Sequence, residues 1–166
     1  MVKHYKFAEY LVNCEDAIEK NMKPADGRVY RLVHNPHIPI DSLPTSLWDY
    51  ETLTPKRVDI PQTIPAGSPI EDQEQQLRDY LPSFNRSIDG AIAPFIDRFK
   101  CKDEEQKKNF ILKKGNTVYA YDLVEQDGRL WEDSEGHVLL QPFDNFNLEE
   151  HIAKDFEPVL FTDLIK

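Results

Sequence analysis

Apolar positions in this chain recur at two different periods, separated by one long stretch that fits neither. From His4 to Met22, the residues Phe7, Leu11, Cys14, Ala17 and Ile18 return every three or four positions. That spacing puts them on one helical face. Pro24 and Asp26-Gly27 stop the pattern, and Arg28 to Val33 then alternates as a strand does. A second helix is predicted over 69–81. Ser68 stands at the capping position, Pro69 at the first helical one and Glu71 three residues after the cap. A third apolar stripe runs through Ile88, Ile92, Phe95 and Phe99. Because Pro94 would break a helix interior, the expected start is near Ala91, and Asp103 is expected to begin a separate helix after it, both within 91–113. Asp103 and Gln106 form a further capping box within that region, and Gly115 is placed to end it in a left-handed conformation.

Residues 117–141 read as strands. Val118 to Val124 alternates, Asp127-Gly128 looks like a hairpin turn, and Asp133-Ser-Glu-Gly136 looks like another. The expectation is a three-stranded antiparallel meander. Asn147 should cap a short helix, and Val159 to Phe161 suits an edge strand. Helices mixed with a meander predict an α+β fold: one domain over 1–166, with an antiparallel sheet of three to five strands packed by helices near 4–22, 69–81 and 91–113.

The stretch that fits neither period lies at 36–69 and holds seven of the twelve prolines. Each proline removes a backbone donor and drives its predecessor toward extended geometry. The same stretch carries Trp48, Tyr50, Ile60 and Ile64 among many apolar side chains. An extended arm this apolar is expected to be ordered, lying on its own core or on a partner, and those four residues are its candidate binding positions.

Composition narrows the function classes. A chain of 166 residues with 40% apolar content can bury a core. The net charge of −10 argues against nucleic acid and anionic membrane as partners, since both reward positive potential. The segment Met1 to Glu9 lacks the apolar core of a signal peptide, and no run approaches a membrane span, so the cytoplasm is the expected location. Cys14 and Cys101 are then expected as free, mostly buried thiols. The lysines at 107, 108, 113 and 114 follow from the charge order of a solvated helix and need no ligand.

Candidate chemistry is sparse. Asp133, Glu135 and His137 alternate and would share one face of an ideal strand, where they could hold a divalent ion with Asp144 nearby. Ser134 and Gly136, however, mark a turn in which that alternation fails. His34 and His37 resemble half of a zinc site, but no second ligand pair stands at a matching spacing. No metal is therefore expected. Neither Ser46 nor Ser87 lies in a nucleophile elbow, and the six glycines form no phosphate-cradling loop, so no cofactor is expected. Tyr119, Tyr121 and Trp131 are aromatic candidates for a ligand surface, although Tyr119 and Tyr121 share a face with Leu123 and suit a core.

The leading expectation is a small acidic protein that acts by binding a protein partner or a second copy of itself, for example as an inhibitor or immunity-type protein. A metal-assisted hydrolase built on Asp133, Glu135 and His137 is the alternative, and a small-molecule binding module with Trp48 over a cavity is the third.

Overall fold

The computed structural model describes residues 5–35, 37, 53 and 62–165. It is an α+β structure with five α-helices among those residues: α1 Glu15–Asn21, α2 Ile70–Tyr80, α3 Ile88–Lys100, α4 Glu104–Lys114 and α5 Phe161–Leu164. The strands are β1 Lys23–Pro24, β2 Gly27–Val33, β3 Ser83–Asn85, β4 Thr117–Leu123, β5 Gly128–Glu132, β6 His137–Pro142 and β7 Val159–Leu160. They form an open antiparallel sheet in the order β1-β5-β6-β3-β2-β4-β7. Seven strands replace the expected three to five, because short segments such as Lys23–Pro24 and Ser83–Asn85 carry too few residues to show a period.

The region 117–141 is stranded as expected, but it is not a meander. β5 and β6 do form a hairpin, with Trp131 opposite Leu139. β4 pairs instead with β7, Val118 facing Val159, and lies beside β2 in the sheet order. Asp127-Gly128 makes no hairpin turn: Glu125–Asp127 is a 3-10 turn and Gly128 opens β5 opposite Pro142.

Three helix expectations also change. The stripe from Phe7 to Ile18 is interrupted, since Phe7 and Asn13 both take positive φ and only Ala8–Tyr10 and Glu15–Asn21 are helical. Leu11, Cys14 and Ala17 are buried all the same. Asn13 tolerates that backbone, and its amide donates to the Ile64 carbonyl at 2.8 Å, tying the break to a distant segment. Ser68 does not cap α2. Its hydroxyl donates to the Pro65 carbonyl in a turn through Gly67, leaving Pro69 at the cap position. α3 begins at Ile88 rather than Ala91, because Ser87 accepts a bond from the Gly90 amide and sets the start earlier. Pro94 thus sits inside the helix, on its exposed face. The carbonyl it leaves without a helical bond belongs to Gly90, where a Cβ would run into the Asn85 side chain.

The capping box expected at the start of α4 is present, while Gly115 ends the helix outside the left-handed helical conformation. Asp103 Oδ1 accepts from the Gln106 amide at 2.8 Å, and Gln106 Oε1 accepts from the Asp103 amide at 3.2 Å. Gly115 ends the helix at φ 133, and a Cβ there would lie 2.7 Å from the Val33 backbone. Lys107 pairs with Glu104 one turn away and lies over the Phe99 ring, which supports the structural reading of the lysine cluster.

Contacts divide the chain into two compact units. The first comprises Met1–Gly27, Thr54–Phe84 and Leu123–Phe146. Its core gathers Leu11, Cys14, Ala17, Leu77, Leu81 and Leu139, with Ile64 and Trp131 packed at the margin. Two buried glutamines on α2 stitch it together: Gln73 Oε1 accepts from the Ala17 amide, and Gln76 donates to the Tyr10 and Gln62 carbonyls. The second unit comprises Arg28–Leu53, Asn85–Asp122 and Asn147–Lys166. Phe99, Phe110 and Phe161 form its aromatic centre, with Leu32, Ile92 and Val118 around them.

The candidate arm positions Trp48, Tyr50 and Ile60 lie outside the described residues. Ile64 is described, and it packs on the first unit's core. Cys14 and Cys101 are both free thiols, one buried and one exposed. Among the described residues no helix is long and apolar enough to cross a membrane.

Candidate functional site

The first unit places three polar side chains in series. In the β5–β6 hairpin, the Asp133 amide donates to the His137 carbonyl at 3.0 Å, and Gly136 turns with φ 84. Within that turn, Asp133 Oδ1 accepts from the backbone amides of Glu135 (2.8 Å) and His137 (3.0 Å). The carboxylate is thereby held at the mouth of the hairpin, a role that short acidic side chains fill well in turns. Its second oxygen faces His137 Nδ1 at 3.8 Å, an ion-pair separation longer than a hydrogen bond.

The opposite ring nitrogen meets a residue from elsewhere in the chain. Pro82 ends the α2 segment, and its carbonyl accepts from the Leu140 amide at 3.1 Å. This bond brings Ser83, the first residue of β3, beside the first residue of β6. Ser83 Oγ then lies 2.7 Å from His137 Nε2. The resulting order is Ser83, His137, Asp133, with the imidazole between hydroxyl and carboxylate.

A shallow cleft of about 70 Å³ opens beside this series, lined by Arg78, Trp131, Asp133, His137 and Leu139. That is room for a few water molecules or a small acyl group. Arg78, in the last turn of α2, stacks its guanidinium 4.9 Å from the centre of the Trp131 ring. Trp131 packs in turn on the apolar core, so the cleft floor is rigidly supported.

Of the residues singled out by sequence, the structure brings Asp133 and His137 together. Glu135 is exposed and contributes its backbone amide to the turn, and Asp144 is exposed beyond β6. Among the described residues no three His, Cys, Asp or Glu side chains gather as metal ligands. His34 is buried at the end of β2, while His37 is exposed. Tyr119, Tyr121 and Leu123 are all buried, and the two tyrosine rings, both of the second unit, stack 6.4 Å apart. Ser83 escaped the sequence reading because it lies 54 positions from His137 in no local motif. Its only signal was its place just after a helix-ending proline.

The second unit carries a charged group of its own. Arg28 on β2 clamps Asp122 at 2.8 Å and Asp155, and these hydrogen bonds hold the Asp155 carboxyl below its usual range. The clamp is exposed and self-satisfied. Comparison with known protein families, curated proteins and solved structures finds no match to this chain.

Proposed function

We propose that this protein is a hydrolase of small acyl esters, with Ser83 as nucleophile, His137 as general base and Asp133 as the residue that positions the imidazole. The observation that carries this reading is the 2.7 Å approach of Ser83 Oγ to His137 Nε2, within the range for a nucleophile and its base. The looser Asp133 contact of 3.8 Å matches the slack such chains show without substrate. In the reaction, Oγ bonds to the ester carbonyl carbon as its proton passes to Nε2. The carbon–oxygen bond to the leaving alcohol then breaks, and that proton leaves with the alcohol. Water, deprotonated by the same nitrogen, releases the acid and restores the serine.

The test is 4-nitrophenyl acetate turnover together with fluorophosphonate labelling mapped by mass spectrometry. Label on Ser83, lost with turnover in Ser83→Ala and His137→Ala, supports the proposal. Equal rates in wild type and Ser83→Ala, with no label on Ser83, overturn it and leave the serine–histidine contact as a tie between neighbouring strands.

A binding role, with a basic protein or a second copy as partner, is favoured by a different observation, the net charge of −10. Light scattering at several concentrations tests self-association. A constant mass near 19.4 kDa overturns the homodimer version.

A further inference from the structure

We infer that the flank of α3 and α4 around Phe110 is a docking surface for a short acidic segment of a protein partner, held by Arg98, Lys102 and Lys114. It does not rest on the ester chemistry: both helices belong to the second unit, whereas Ser83, Asp133 and His137 belong to the first. Residues 98–114 carry seven basic side chains against three acidic ones, in a chain with thirty acids and twenty bases. Packing gathers part of this charge in one place. The Arg98 guanidinium and the Lys102 ammonium each lie 5.8 Å from the centre of the Phe110 ring. Lys107 lies 5.4 Å from the centre of the Phe99 ring, and Lys114 follows Phe110 by one turn of α4. The dipole of α4 accounts for the lysines at its own end, but Arg98 and Lys102 come from α3 and the turn after it.

The chain itself does not neutralise this cluster. Among the described residues, Arg98, Lys102 and Lys114 make no ion pair and no side-chain hydrogen bond. Two of the three acids in the stretch are used locally, Asp103 as the cap of α4 and Glu104 beside Lys107. Burial, and then the charges of Arg98 and Lys113, pull Lys114 below the ordinary lysine value. The cations repel one another where a carboxylate would be attracted. A long polyanion such as nucleic acid, or an anionic membrane, extends past the cluster into the field of a chain with net charge −10. A short acidic segment meets the cations alone. Lys107 and Lys114 are separated along α4 by a rise of about 10 Å, which matches about three extended peptide residues rather than one small ion.

Fluorescence polarisation of a fluorescein-labelled oligoglutamate peptide with the full chain tests this, with oligoglutamine as the neutral control. The expected result is saturable binding of oligoglutamate alone, weakening as salt is raised. Arg98→Gln/Lys102→Gln/Lys114→Gln should weaken it by about tenfold or more, since several charge contacts are lost together. Lys20→Gln/Lys23→Gln/Arg129→Gln makes the same change of net charge in the first unit and should alter binding by less than about twofold. If the first triple variant does not fold, Lys102→Gln alone carries the test, with a loss of about threefold expected. Equal weakening in both triple variants is a general charge effect and overturns the inference. Tighter binding of a thymidine oligonucleotide or of phosphatidylserine vesicles overturns it too, as does the absence of any response to oligoglutamate. A mass above the monomer by light scattering that falls to 19.4 kDa in the Arg98 triple variant makes a second copy the occupant and likewise overturns it.

Discussion

The Asn116 side chain pairs with both polar groups of the Asn35 backbone. Its Oδ1 accepts from the Asn35 amide at 2.8 Å, and its Nδ2 donates to the Asn35 carbonyl at 3.2 Å. A side-chain amide here continues the ladder that backbone groups would make between strands. The same oxygen also accepts from the Thr117 hydroxyl, and Asn116 is only 4% exposed, so water does not replace these bonds. Asn116→Ala should therefore destabilise the protein by about 1–3 kcal/mol, the usual cost of stranding buried polar groups. Urea denaturation followed by circular dichroism measures it, and an unchanged midpoint would show that the pairing contributes nothing.

Phe161 tests the second unit's core. Its ring is fully buried, in edge contact with Phe99 at 5.2 Å and near Phe110 at 6.5 Å. Phe161→Ala removes a whole ring from a close-packed site and should cost about 3–5 kcal/mol. A cost below about 1 kcal/mol, read from the same denaturation curves, would mean that the cluster is loosely packed.

These two positions also show what the sequence could and could not reveal. The α4 box at Asp103 and Gln106 was legible because capping is local, with both partners within one turn. The β5–β6 hairpin was legible because alternation and turn residues agree. Asn116 was not, since its partner is 81 residues away and an asparagine after glycine looks like any turn. The neighbours of β4 were hidden for the same reason: strand pairing is non-local, and Asp127-Gly128 resembles a hairpin turn until the competing 3-10 turn is seen. At the site, Asp133 and His137 were legible only as members of a cluster with Glu135 suited to a divalent ion, while Ser83 needed the fold to reach them.

Thiol chemistry separates the two cysteines. Cys14 is fully buried, and burial, aided by the neighbouring Glu15 charge, pushes its thiol up to about 11. A buried, protonated thiol is a poor nucleophile. Cys101 is exposed. Native protein at pH 8 should therefore take one equivalent of a thiol reagent, at Cys101, and a second only after denaturation. Rapid modification of Cys14 in the native state would contradict its packing.

The Arg28 clamp predicts a pH dependence of known sign. Asp155 is held below its ordinary value by its hydrogen bond to Arg28, so the folded state favours the ionised form. A lowered carboxylate stabilises the fold above its unfolded value near 3.8 and ceases to do so as pH falls through the folded one. Asp155→Asn should lower the melting temperature slightly at pH 7, less at 1 M salt because the pair is exposed. The two melting curves should converge in strong acid. A gap that widened on acidification would reverse the argument.

Asp133 offers the sharpest test of the candidate site, because its two oxygens have separable tasks. Oδ1 organises the hairpin by accepting two amide bonds, and Oδ2 supplies negative charge toward His137. Asparagine keeps one oxygen acceptor, so Asp133→Asn should retain the turn and melt within about 1–2 °C of wild type, as expected where no strong bond is lost. On the proposed hydrolase reading, what it removes is the charge that would hold the imidazolium during acyl transfer. Ester turnover should fall by about 10²-fold in kcat with KM little changed, the signature of an interaction used only in the transition state. Asp133→Glu, which restores the charge on a longer arm, should recover part of that loss. Asp133→Ala should lose both the rate and part of the melting temperature, since the Glu135 and His137 amides then lose their acceptor. If Asp133→Asn turned over as fast as wild type, the carboxylate would be a turn-former alone and His137 would act without it.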